Sequence, residues 1–292
     1  MEGFASEHFW LALLLALIFF YVVTYFAYRS NYFTFPHKAE FQPIGFMHLA
    51  GAFGTFIIVT LVFYPIMVLL VGRIPLSKPT LEGGLGGWIQ LLYMLLLFVC
   101  IYGYLFTLKK DVRRSIFFDG VQEKSKIFGV GIGMGIISWI VSYPTVLLVN
   151  LITGRIGELF WGKSELEQVA VKHLKGLSEH NWLYTLTIFC IVFLVPMVEE
   201  LLFRGFLQTW FRRFLGRVTA LLLTSLIFAV VHFAPSQGSA NFELICSLFA
   251  LSCFLGFIYE RQQTLWAPIA LHATFNGITV FFLSIQHYLP GS

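Results

Sequence analysis

Runs of about 20 apolar residues recur along this chain, and nothing else constrains its folding as strongly. A run of that length crosses the hydrocarbon core of a bilayer as a helix. Eight can be counted: from about Phe9 to Tyr28, Ile44 to Val71, Trp88 to Leu108, Ile127 to Leu151, Trp182 to Phe211, Val218 to Phe233, Phe242 to Tyr259 and Trp266 to Ile285. The chain is 58% hydrophobic and 12% charged, whereas soluble domains carry about 25% charge. The expected fold is all-α, a polytopic transmembrane helical bundle of about eight spans enclosing an intramembrane cavity. The second and fifth runs exceed the minimum, so tilt, a kink or an extension beyond the bilayer is expected there. Glu2 and Glu7 precede the first run without an early Lys or Arg. That is wrong for a signal peptide, and the first run is expected to stay in the membrane. Cys100, Cys190, Cys246 and Cys253 all fall in apolar runs with no CxxC pair, so they read as small buried hydrophobes.

The loops carry the orientation. Arg29 and Lys38, then Lys109, Lys110, Arg113, Arg114, Lys124 and Lys126, then Arg212, Arg213 and Arg217, then Arg261 occupy alternate loops. Cytoplasmic loops are enriched in Lys and Arg, so these loops are expected inside and both termini outside. The opposite loops hold Arg73, Lys78, Arg155, Lys163, Lys172 and Lys175, partly offset by Glu158, Glu165, Glu167 and Glu179. The chain accordingly divides into four accessory spans (1–152), a non-cytoplasmic loop (153–181) and four core spans (182–292). In that loop Ile156, Leu159, Phe160, Leu166, Val169, Ala170, Leu174 and Leu177 recur at roughly helical spacing among charges. This predicts amphipathic surface helix. Gly129, Gly131, Gly133 and Gly135 have no phosphate-loop context and predict close helix packing instead.

The chemistry is concentrated in three places. Glu199 and Glu200 sit together inside the fifth run, with Arg204 four positions after Glu200. A charge at that depth is expensive and marks a functional candidate. Adjacent helical residues point about 100° apart, so the two carboxylates need different roles. Glu200 and Arg204 have ion-pair spacing, which leaves Glu199 free to face a cavity as a general base. His232 closes the sixth run, behind Phe228. His272 and Asn276 share one face of the eighth. Measured from the cytoplasmic ends, Glu199 lies about 18 Å deep, His232 about 21 Å, His272 about 9 Å and Asn276 about 15 Å. A common meeting point is therefore feasible. One chemistry suited to such a set is peptide hydrolysis by an activated water. Glu199 takes the proton, and the histidines and Asn276 either stabilise the oxyanion or bind a metal that does so. No HExxH or GxSxG occurs, and asparagine is a poor zinc ligand.

The three motifs, Glu199-Glu200-Leu-Leu-Phe-Arg204, Phe228-Ala-Val-Val-His232 and His272-Ala-Thr-Phe-Asn276, resemble in order the EExxxR, FxxxH and HxxxN signature of one family. It comprises the type II CAAX prenyl proteases and the bacteriocin-processing or abortive-infection proteins, the CPBP intramembrane proteases. The resemblance covers roughly Leu183 to Ile285. It implies a helical core with an active site inside the membrane, open toward the cytoplasm. It implies Glu199, His232, His272 and Asn276 as catalytic, Glu200 and Arg204 as their support, and no protein-bound cofactor. A divalent metal such as zinc, at Glu199, His232 and His272, is the alternative. The implied partners are a protein or peptide substrate, such as a prenylated CAAX-like protein or a bacterial peptide, entering from the membrane or the cytoplasmic side. The lipid bilayer surrounds the protein, nucleic acid has no part, and a bacterial inner membrane is the expected location. Two other readings of the residues stand beside proteolysis: an immunity or binding protein that needs no turnover, and an ion-coupled transporter using the buried Glu, His and Arg as a relay.

Overall fold

The structure, a computed structural model, describes residues 2–35, 44–72, 84–117, 124–162, 174, 176–177 and 181–288. Among the described residues regular structure is entirely helical. Helix α1 (Glu2–Arg29) leads into α2 (residues 46–72), whose middle is a π-helical turn at Val59–Phe63. Then come α3 (Gly86–Thr107), the short amphipathic α4 (Lys110–Phe117) and α5 (Lys124–Trp161). Helix α6 (residues 181–208) alternates α and π segments and runs on into α7 (Thr209–Val230). A 3₁₀ turn at Pro235–Gln237 precedes α8 (Ala240–Gln262) and α9 (Trp266–Tyr288). Large apolar side chains such as Leu61, Val99 and Phe106 face outward at more than half exposure, as lipid contact requires and water would penalise.

Among the described residues seven helical stretches are long and apolar enough to cross a membrane, against eight apolar runs in the sequence. The difference lies in residues 182–230, a single stretch of 49 residues. At 1.5 Å per residue it would measure about 74 Å, more than twice the hydrocarbon thickness of a bilayer. It is not straight. Gly216 adopts φ 73°, ψ 176°, backbone that only glycine takes readily, and the chain turns back there. Beyond the turn, Phe228 packs on Phe203 with ring centroids 5.0 Å apart, and His232 comes within 3.8 Å of Glu199. The fifth and sixth apolar runs are thus two antiparallel arms of one broken helix.

A ladder of polar contacts sets the next helix beside the first arm. Arg204 meets Ser252, Gln208 meets Gly256 and Arg212 meets Glu260, each pair separated by 48 residues. A constant separation with steps of four on both sides requires two helices running in the same direction. Arg212 also closes an ion pair of 2.8 Å on the buried Glu260.

The basic loops gather at one end of the bundle. Arg213 donates to the Ile44 carbonyl at 2.8 Å, Arg217 lies over the Phe35 ring and Arg261 over the Tyr32 ring. The opposite end is marked by Arg155 over the Phe9 ring and by Tyr184 bonded to Ser284. Helix α5 continues to Trp161, past the expected limit at Leu151, because its last turns have partners. Thr153 bonds back to the Val149 carbonyl, Asn150 bonds Glu243 at 2.5 Å, and Trp161 packs on Phe242. The first part of the expected surface segment is therefore the end of a long helix. Its Leu174 and Leu177 are buried, while Leu166, Val169 and Ala170 lie outside the described residues, as do Lys38, Arg73, Lys78, Lys163, Lys172, Lys175, Glu165, Glu167 and Glu179. Gly131 and Gly135 seat α5 on α9: a Cβ on Gly135 would strike the Ala267 carbonyl oxygen. Gly129 and Gly133 face open space.

Candidate active site

Two π-helical segments shape the floor of the site. The first, Cys190–Leu194, has the Val195 N–H donating to the Cys190 carbonyl five residues back. In that register the next donor to Ile191 would be residue 196, and this is Pro196, which has no N–H. The Ile191 carbonyl is left without a helical partner, and Asn276 supplies one: its Nδ2 donates to Ile191 O at 2.9 Å. The second segment, Leu201–Gln208, begins directly after Glu200 and is buried at every residue. The carboxylates thus occupy a short α-helical segment, Val195–Glu200, between two bulges, the kind of distortion that often accompanies function.

Glu200 and Arg204 are both fully buried, and the expected pair is present: Nη1 lies 2.9 Å from Oε2 and 3.0 Å from Oε1. Arg204 Nη2 also donates to Ser252 Oγ at 2.6 Å and to the Ser252 carbonyl at 3.1 Å. The face of the Phe228 ring lies 4.8 Å from the guanidinium carbon. Glu200 further meets His272 Nδ1 at 2.7 Å. A carboxylate only accepts, so Nδ1 carries the hydrogen there and Nε2 is left to face the cavity.

Glu199 is set apart from that network. Its Oε2 lies 3.7 Å from His272 Nε2 and its Oε1 3.8 Å from His232 Nε2. His232 Nδ1 sits 2.6 Å from the Phe228 carbonyl, which likewise assigns the Nδ1 hydrogen and leaves Nε2 toward the glutamate. With Nδ1 carrying the hydrogen, each of these separations closes to a hydrogen bond when a second proton is present, on the imidazole Nε2 or on Glu199. Among the described residues no group of three or more His, Cys, Asp or Glu is arranged to hold a metal ion.

Two chambers of about 610 Å³ each meet at Glu199 and His232. One is walled by apolar groups, among them Phe53, Phe56, Leu97, Leu202 and Phe203. The other is more polar and holds His272, Asn276, Phe228 and Gln237. Gln90 and Met94, from α3, line both. The structure therefore brings together all seven residues singled out from the motifs. Ser252, Gln90 and Gln237 join them without any motif to announce them. Ser252 had a signal in the sequence, because Ser252, Gly256 and Glu260 repeat the four-residue step of Arg204, Gln208 and Arg212. The two glutamines had only their placement in or beside apolar runs.

Residues 181–278 match the family described as type II CAAX prenyl endopeptidase Rce1-like. The chain is also similar to YpbD of Bacillus subtilis (strain 168), itself described as uncharacterized. The two are 28% identical over 171 residues, covering 59% of this chain and 80% of YpbD. No solved structure matches. The matched stretch contains every motif residue from Glu199 to Asn276, and residues 181–278 are a domain of the Rce1-like type II CAAX prenyl endopeptidase family.

Proposed function

We propose that this protein is an intramembrane endopeptidase that hydrolyses a peptide bond with a water activated by Glu199. The observation that carries the reading is the position of the Glu199 carboxylate. It faces two histidine Nε2 atoms at 3.7 and 3.8 Å, at the junction of two chambers. A water between Glu199 and a substrate carbonyl gives one proton to the carboxylate while its oxygen bonds to the carbonyl carbon. The oxyanion that forms accepts hydrogen bonds from a protonated His232 Nε2 and from the Asn276 amide hydrogen not used by Ile191. When the C–N bond breaks, the proton held by Glu199 passes to the leaving nitrogen, and acid and amine products balance the water consumed. His272, fixed by Glu200 and through it by Arg204, positions Glu199.

The distribution of basic residues supports a sidedness as well. The end carrying Arg212, Arg213, Arg217 and Arg261 belongs in the cytoplasm by the positive-inside rule, which puts both termini on the other side. The polar chamber is lined by Ala234 and Gln237, from the turn between α7 and α8 at that other end. This favours substrate access from the membrane or the non-cytoplasmic face, in place of the cytoplasmic opening expected from the family. The proteolytic reading is tested by expressing the intact protein and Glu199→Gln at equal membrane levels and comparing peptide termini in the cells. New termini that need Glu199 support it; identical profiles across growth conditions oppose it.

A further inference from the structure

Most polar groups near Glu199 are committed inside the protein. Asn276 is bonded to Ile191, Tyr93 to Thr60 at 3.0 Å and Glu200 to Arg204. Two carboxamides also line the site. Gln237 is only 4% exposed, and its Oε1 is buried with no hydrogen-bond partner. Its position is rigid, because Asn241 clamps the turn that carries it with bonds to Ala234 N, Ala234 O and Gly238 O of 3.0, 2.8 and 3.0 Å. Gln90, half-buried on α3, lines both chambers. An amide left unpaired in an apolar interior is costly and demands a partner.

A carboxamide carries one acceptor and an N–H donor pair in a plane, the complement of a peptide group. A helical segment has its own N–H and C=O groups satisfied internally, while an extended one presents them. We propose that Gln90 and Gln237 are substrate-positioning residues that hydrogen-bond the main chain of an extended polypeptide segment on either side of the bond facing Glu199. The substrate class that follows is a membrane-associated polypeptide that is locally unwound at the cleavage point. Segments rich in glycine or proline meet that condition more readily than continuous helix. The assignment rests on the proteolytic reading given above.

Two experiments test it. In the first, Gln237→Leu is compared with the parent by thermal unfolding in one detergent, with no substrate present. Removing an unpaired buried amide should leave the midpoint unchanged or raise it; a fall of several degrees would mean that the Gln237 amide is paired within the protein and would overturn the clamp. In the second, a synthetic peptide spanning a cleavage site found by terminus comparison is assayed, together with a series in which single flanking amides are replaced by esters. Gln237→Ala and Gln90→Ala should each raise KM about tenfold, one lost hydrogen bond, with kcat changed less. The ester that weakens the intact protein should have no further effect in the matching variant. Variants within twofold of the parent, or ester effects equal in parent and variant, would refute the clamp while leaving proteolysis standing. Cleavage undiminished in Glu199→Gln would instead remove the proteolytic reading and the clamp with it.

Discussion

Removing Arg204 alone should damage this protein more than removing Arg204 and the charge of Glu200 together. Both side chains have 0% exposure, and the guanidinium touches both carboxylate oxygens within 3.0 Å. Arg204→Met deletes the positive charge and leaves Glu200 buried with His272 as its remaining polar neighbour. Breaking one side of a buried ion pair costs about 3–5 kcal/mol, because the survivor is charged and has lost its counter-ion. Glu200→Gln preserves shape and an acceptor for His272 and leaves Arg204 its two bonds to Ser252. The guanidinium charge is then uncompensated, at about 2–3 kcal/mol. The double variant buries no uncompensated charge, and neutral replacements of buried pairs are often tolerated, so it should lose only about 1–2 kcal/mol. The expected coupling is therefore about 3 kcal/mol or more. At roughly 2 °C per kcal/mol for a chain of this size, Arg204→Met should lower the unfolding midpoint by about 6–10 °C and the double variant by about 2–4 °C. Midpoints of the four proteins in one detergent, at one pH and salt, provide the measurement. A double variant whose loss equals the sum of the two single losses would refute the claim that these charges stabilise each other in a dry interior.

Other consequences concern different parts of the bundle. Asn276→Ala should destabilise the protein by about 1–2 kcal/mol by orphaning the Ile191 carbonyl. The same change in a Pro196→Ala background should cost less, because residue 196 then has an N–H to offer; equal costs in both backgrounds would contradict the π-register explanation. Gly135→Val should sharply lower folded yield in a fluorescence-detected size-exclusion assay, since its side chain would meet the α9 backbone at Ala267, whereas Gly133→Val, toward open space, should behave as the parent. For sidedness, a cysteine placed at Ser236, exposed in the same turn as Gln237, in a background lacking the four native cysteines should react with a membrane-impermeant maleimide added to intact cells. A cysteine at Arg114 should react only in inverted vesicles; the reverse pattern would overturn the orientation.

The apolar runs marked nearly every helix, because a membrane span leaves a length signal that tertiary contacts do not erase. The number of continuous helices was less legible. The boundary at Phe211–Val218 reads as a loop from its charges, but helical hydrogen bonding continues on both sides of one glycine, and only the backbone angles of Gly216 show the reversal. The pairing of Glu200 with Arg204 could be read from spacing alone, since four residues make one helical turn. That His272 bonds Glu200, while its other nitrogen faces Glu199, could not. It depends on the relative depth of two helices 72 residues apart, to within less than a turn. The π bulges were equally hidden: Pro196 hinted at a defect, but the carbonyl it frees and the asparagine that takes it up are joined only in three dimensions. Gln237 escaped notice because it sits in a turn, where a glutamine is unremarkable until the cavity behind it is seen.

The most direct measurement is hydrolysis by the purified, membrane-reconstituted protein with Glu199 intact and with Glu199→Gln, both shown to be folded by their unfolding midpoints. The substrate is a polypeptide whose new terminus appears in cells only with the intact protein. Cleavage at that same bond by the intact protein, reduced at least a hundredfold in Glu199→Gln as expected for loss of a general base, is the predicted result. Equal cleavage by both proteins would contradict the role given to Glu199, and no cleavage by either would contradict the assignment of proteolysis to this chain.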